Sequence, residues 1–377
     1  MIQVKGQFCL SLTIADKKDF VTIQDFIEFS ITEYAGGLLP TYSLAFVSAD
    51  ESILAYLHEG QHIKIQYGKD VDSLQESVLY VGELNTPKEG DYKRMYELSG
   101  FAISLSYVSN CHTAISSSKS GIELALEIAK RNFTKVDSNI TKSKDKQNWI
   151  QWGITDRSFL SHLVIRSDLM PSFPAMAIKA DGTFILKDIL LDIKNTKEPK
   201  YRFVRNDDPK YINYTNDTIV SSRPLYFNNW TGYQKEKKVL NFSNGQVESV
   251  STSFSPIIAL ANSIDKDPSV ANRFNGFELL NENVHSNFWK AYDHNLVHLT
   301  QMSKVELIVS FFSQFSKISP LDIVFLSESS TENKNNASEY NSGLYYVTRV
   351  TKSLQSKEVV TTVTLNREAI NGTKNRS

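Results

Sequence analysis

The sequence predicts a mainly β protein with an α+β insertion. Three observations predict it. Apolar and polar residues alternate in short runs at both ends of the chain. From about residue 109 the pattern turns helical. One order of turns and strands occurs twice, once near each end.

The first segment carries the clearest alternation. Phe8, Leu10, Leu12 and Ile14 recur with period two, and residues 27–33 do the same. Gly36, Gly37 and Pro40 end that run, and Tyr42, Leu44 and Phe46 begin another. Residues 49–59 suit one short helix that stops at Gly60. Residues 63–67 alternate again, followed by strands over 78–84 and 94–105 with a turn at 87–90. Residues 1–108 therefore read as an antiparallel β-barrel.

In the middle segment, residues 116–120 read as a polar linker closed by Gly121. Ile122, Leu124, Ala125, Leu126, Ile128 and Ala129 follow as a helix, and residues 134–148 as a polar loop. Thr155 suits a helix cap. Phe159, Leu160, Leu163 and Val164 have the spacing of an amphipathic helix. Asp181, Gly182 and Thr183 form a hairpin turn into a strand over 184–186. Residues 109–208 thus form the α+β insertion. A second barrel is expected from 209–250 together with 296–370. Between them, 251–295 is loop-rich, with a short helix near 288–293, and 371–377 is a frayed polar tail.

The repeat compares residues 60–103 with 319–370. Each reads as a tight turn, a strand, a polar loop, a second strand, a turn and a third strand. The strands are 63–67, 79–84 and 96–103 in the first copy, and 321–325, 344–350 and 359–365 in the second. Loop lengths differ, as surface loops tolerate. Two similar barrels per chain give six quasi-equivalent units in a trimer. Such a pseudo-six-fold ring can join a six-fold partner to a three-fold one.

Composition excludes several classes. Hydrophobic residues make up 41% and charged residues 22%, a globular balance. The net charge of −1 gives no overall attraction for polyanions. Cys9 and Cys111 fit neither a disulfide framework nor a zinc site and read as buried thiols. No apolar run has the length of a membrane helix, and residues 1–5 lack a signal-peptide layout. A cytoplasmic site of synthesis is expected, so triplets such as Asn229-Trp230-Thr231 carry no glycosylation meaning.

Few residues suggest chemistry. His58-Glu59-Gly60-Gln61-His62 matches H-E-x-x-H, which in a zinc peptidase puts both histidines on one helix. Gly60 interrupts the motif and a strand follows, so the imidazoles straddle a helix end; Glu83 would be a third ligand by distance alone. His294 and His298 are four apart, with Asp293 and His285 nearby, and read as polar residues on a solvated segment. Asp156 sits where it would stabilise the first turn of a helix, beside Arg157. Trp149, Trp152, Trp230 and Trp289 suit packing better than sugar stacking. No catalytic, cofactor or metal residue is assigned, and a non-enzymatic protein is expected.

Three stretches resemble one family. Residues 27–68 are similar to the first tube barrel of the central baseplate hubs of contractile phage tails. In the second, Gln151 and Thr155-Asp156, then Phe159-Leu160, resemble that family's lead-in to a helix, with Asp181-Gly182-Thr183-Phe184 downstream. Residues 315–370 resemble its closing barrel. The family includes late-control hub proteins and is related to the N-terminal part of type VI secretion spike proteins. The resemblance implies a homotrimer in the virion tail baseplate, with no membrane insertion. It implies tail tube rings above it, baseplate wedge proteins around it and a cell-puncturing spike below. A tape-measure protein or DNA would pass through the lumen. The chain has no spike extension, so the spike would be a separate protein. The alternatives are a tail-associated zinc peptidase or cell-wall hydrolase using His58, Glu59 and His62, and a glycan- or receptor-binding tail module.

Overall fold

The computed structural model describes residues 9–14, 17–21, 26–49, 51–68, 74–89, 93–102, 105–196, 198–205, 211–214, 216–220, 234–241, 244–253, 275–280, 284–303, 305–312, 317–327, 342–355 and 358–368. Trp230, Asn229 and the tail at 371–377 lie outside these residues.

The alternating runs of the first segment form β1 (Cys9–Ile14), β2 (Lys17–Val21), β3 (Phe26–Ala35), β4 (Thr41–Ser48), β5 (His62–Gly68), β6 (Gln75–Asn85), β7 (Lys88–Glu89) and β8 (Lys93–Ala102). A short 3-10 helix, Glu51–Ala55, stands between β4 and β5. Pairing gives the order β2-β1-β5-β6-β8-β4-β3, antiparallel throughout. Period-two alternation sends every second side chain to one face. That face buries Leu12, Phe29, Leu44, Phe46, Ile63, Val81, Tyr96 and Leu98 together.

The insertion holds α1 (Leu105–Ser109), β9 (Cys111–Ser120), α2 (Gly121–Asn132), β10 (Lys135–Ser138), β11 (Lys146–Thr155), α3 (Asp156–Arg166), β12 (Pro174–Ile178), β13 (Thr183–Asp188) and α4 (Ile189–Asn195). Ser120 and Glu123 form a reciprocal capping box at the start of α2. The apolar faces of α2 and α3 bury Ile122, Ala125, Ile128, Leu160 and Leu163 against Phe184 and Leu186. β13 pairs with β10 in parallel and with β12 antiparallel. β9 and β11 form a separate two-stranded ribbon.

The rest comprises β14 (Tyr201–Val204), β15 (Ile212–Asn213), β16 (Asn216–Val220), β17 (Gln234–Asn241), β18 (Gln246–Ser253), β19 (Asn275–Leu280), α5 (Phe288–Met302), β20 (Val305–Phe312), β21 (Ile323–Leu326), β22 (Gly343–Gln355) and β23 (Glu358–Arg367). The order in the second sheet unit is β15-β14-β21-β22-β23-β20-β16. β17, β18 and β19 form a sheet of their own.

The structure corrects several sequence expectations. Residues 116–120 belong to strand β9, because β11 supplies a partner that a polar run does not advertise. The helix expected near 288–293 continues to Met302. Residues 234–250 do not join the second unit, whereas β14 does. Alternation marks a strand but does not name its neighbour. Among the described residues neither unit closes into a barrel: β2 does not pair with β3, nor β15 with β16. Cys111 is exposed and free, not buried.

Candidate functional site

The repeat survives in three dimensions at the level of single hydrogen bonds. The Gln61 N–H donates to the His58 carbonyl, and the Asp322 N–H donates to the Ser319 carbonyl. Val81 then exchanges two backbone bonds with Gly60 and Gln61, as Val347 does with Leu321 and Asp322. A bulge follows at once in both copies, between Val81 and Glu83 and between Val347 and Arg349. Gly60 has φ +80° and Leu321 has φ +71°. A positive φ at the third residue, with Pro320 at the second in one copy, is the signature of a type II turn. Nothing lies within 4 Å of a Cβ built on Gly60. Gly60→Ala therefore costs only the left-handed backbone, about 1 kcal/mol, measurable as a shift in the denaturation midpoint.

Following the registers outward, Leu44 corresponds to Val309, Phe46 to Phe311, Leu98 to Val363 and β3 to β16. The matched core positions are all buried. The difference lies at the edge. β1 runs antiparallel to β5, whereas β14 runs parallel to β21.

The two units meet edge to edge. Residues 29–34 of β3 pair antiparallel with 349–354 of β22, and Tyr34 also pairs with Ile178 of β12. Pairing starts at Arg349, just past the bulge that frees this part of β22 from β21. The Thr32 and Thr351 hydroxyls touch across the joint at 3.0 Å. Beside them Glu33 is buried, its Oε1 accepting from the Ala180 N–H at 2.8 Å. Burial raises the Glu33 pKa and lowers that of Lys352, which donates to Gln75 Oε1 at 3.4 Å. The joint thus ties together the first unit, the second unit and the insertion. The loop after β3 also sits tight on the insertion, since a Cβ on Gly37 would lie 2.7 Å from Ser161 Oγ. A cavity of about 500 Å³ opens here, lined by Gly36, Met176, Leu299, Leu321 and Glu306 among others.

The motif residues fall elsewhere. His58 and Glu59 lie in the turn and His62 begins β5, so no helix brings the imidazoles onto one face. His58 Nδ1 is 3.0 Å from the Glu59 carbonyl, and the His62 ring packs 6.3 Å from Tyr80. Glu83 lies past the β6 bulge, within 3.3 Å of Ser99 Oγ. His294 and His298 do share a helix face, with ring centroids 4.0 Å apart, yet they are buried rather than solvated. Burial and the neighbouring His298 push His294 down to about 4. His294 Nε2 faces the Ser172 carbonyl, and His298 Nδ1 faces the His294 carbonyl. Asp293 is buried too. His285 uses its backbone N–H on Gln147 Oε1 at 2.7 Å. Among the described residues no group of three or more His, Cys, Asp or Glu is placed to hold a metal ion.

Asp156 is more than a helix-start charge. Thr155 caps α3 by accepting from the Ser158 N–H. The buried Asp156 carboxylate instead accepts from Arg131 Nε at 2.8 Å, Asn132 Nδ2 at 2.7 Å and Gln151 Nε2 at 3.0 Å, and from Arg131 Nη2. Burial opposes its ionisation, but these donors outweigh it and hold the carboxyl below the usual range. It clamps α2, β11 and α3 together, while Arg157 is only half-buried. Trp149 is buried and donates to the Lys119 carbonyl, and Trp289 stacks edge-on with Phe288 and Tyr292. Trp152 is 76% exposed on the ribbon, beside Ile150 and Ile115. No helix among the described residues is long and apolar enough to cross a membrane.

No protein-family model matches the chain. No curated protein matches it either. Solved structures do. A tail protein from Neisseria meningitidis aligns over 96% of this chain and 97% of its own, with TM-score 0.62 and 11% identity. The 43 kDa tail protein of prophage MuSo2 from Shewanella oneidensis aligns over 97% and 100%, with TM-score 0.60 and 9% identity. The Escherichia coli c3393 protein aligns over 94% and 76%, with TM-score 0.53 and 10% identity. It is a type VI secretion component described as similar to the bacteriophage T4 tail proteins gp27 and gp5. The chain therefore has the fold of phage tail proteins and of a type VI secretion component related to them.

Proposed function

We propose that this chain is the structural hub of a contractile tail baseplate. It acts without catalysis, as a trimeric ring that adapts a six-fold tail tube to a three-fold spike. One observation carries the reading: each chain holds two sheet units of one strand order, with matched turns and bulges, joined edge to edge. Three chains then supply six equivalent units around a channel. Its neighbours in the virion would be the tube protein, baseplate wedge proteins and a spike protein, with the tape-measure protein or DNA in the lumen. The tail-protein fold supports this. The peptidase alternative lacks the helix its two histidines need. For the glycan-binding alternative, Trp152 is the one exposed tryptophan among the described residues.

Light scattering on a sizing column tests the proposal. The expected mass is three times the chain's 42.7 kDa, and negative-stain images should show a ring with a central hole. A monomer with no ring in the images overturns it.

A further inference from the structure

Within one chain a single strand ladder joins the two units. It uses the outer edge of β3 and the part of β22 past its bulge. Both partners have counterparts in the other unit. The counterpart of β3 is β16, because each pairs with the matched strand β4 or β20. The counterpart of β22 is β6, because each carries the bulge beside the matched valine.

Among the described residues both counterparts have an open edge. β5 covers β6 only as far as Tyr80 and, through Gln61 and Gly60, Val81. Beyond Gly82, β6 pairs with β8 on one side and with no described strand on the other. β16 pairs with β20 and, among the described residues, with nothing on its far side. Open edges invite strand addition, and a ring removes them. Pro87 does not block this edge. Its carbonyl faces Met95 N, so its missing N–H also points toward β8.

We infer that β16 of one copy pairs antiparallel with residues 85–89 of β6 and β7 in the next copy, reproducing the β3·β22 joint. The inference rests on the trimeric-ring reading and adds its contact. The register follows from the matched positions. Val220 corresponds to Thr32 and Asn85 to Thr351, so Val220 of one copy faces Asn85 of the next. Ile219 likewise faces Thr86. The internal joint and its copy between chains would alternate around the ring, which closes when the two rotations together make a third of a turn.

Paired cysteines read this register directly. All variants carry Cys9→Ser and Cys111→Ser. Asn85→Cys with Val220→Cys tests the contact between chains. Thr32→Cys with Thr351→Cys is the control within one chain, where the native hydroxyls stand 3.0 Å apart, within reach of a disulfide. After mild oxidation, the Asn85/Val220 pair should run on a non-reducing gel at two and three times the 42.7 kDa chain mass. Reduction should abolish those bands, and neither single variant should show the full ladder. The control pair should lose its free thiols and stay at chain mass. A trimer by light scattering whose Asn85/Val220 pair stays at chain mass, while the control closes, overturns this strand pairing and leaves the ring standing. A monomer overturns both.

Discussion

Phe46→Ala and Phe311→Ala should each lower the free energy of unfolding by about 3–5 kcal/mol, the usual cost of deleting a buried phenyl ring. The two rings occupy matched positions, and both are 0% exposed. Phe46 stacks on Tyr96 with centroids 4.9 Å apart, and Phe311 meets Phe203 edge-on at 5.5 Å. The more telling result is the shape of the transition. The β3·β22 ladder makes one sheet of both units, so either substitution should shift a single cooperative denaturation curve. Two separated transitions, one moved by each substitution, would show that the joint does not couple the units. Protein concentration must be matched, because assembly adds concentration-dependent stability.

Asp156→Ala should cost about 2–3 kcal/mol, since Arg131, Asn132 and Gln151 all lose a charged acceptor. Arg131 is half exposed and can turn to water, which keeps the value below what breaking a fully buried pair costs. The pH dependence separates charge from shape. The folded pKa of Asp156 lies below its unfolded value of 3.8, so its stabilisation is full above that value and fades as pH falls through the folded pKa. Denaturation midpoints of the native protein and Asp156→Asn should therefore differ at pH 7 and converge in acid. A constant gap across that range would remove the charge from the explanation.

Much of the fold was legible because it is locally encoded. Strands such as β3, β4 and β5 bury one face, and a two-residue period records that burial directly. The repeat was legible for the same reason: the order turn, strand, strand, strand is set by local punctuation. H-E-x-x-H showed its own weakness, because a glycine inside the motif is what a type II turn needs at its third position. The ribbon was not legible. β9 is polar and mostly exposed, so it has no core face to leave a pattern, and its strand character comes from β11 alone. The length of α5 was masked by His294 and His298, whose burial rests on Ser172 and Phe173, distant in sequence.

By itself the sequence determined the alternating strands of the two sheet units, the two principal helices of the insertion and the existence of two related halves, because periodicity, caps and turn residues act within a few residues of chain. Only the tertiary structure decided which strands are neighbours, that Val81 and Val347 mark one position, and that β3 meets β22. Strand pairing joins residues hundreds of positions apart through backbone groups that every residue carries, so no local pattern of side chains can specify it.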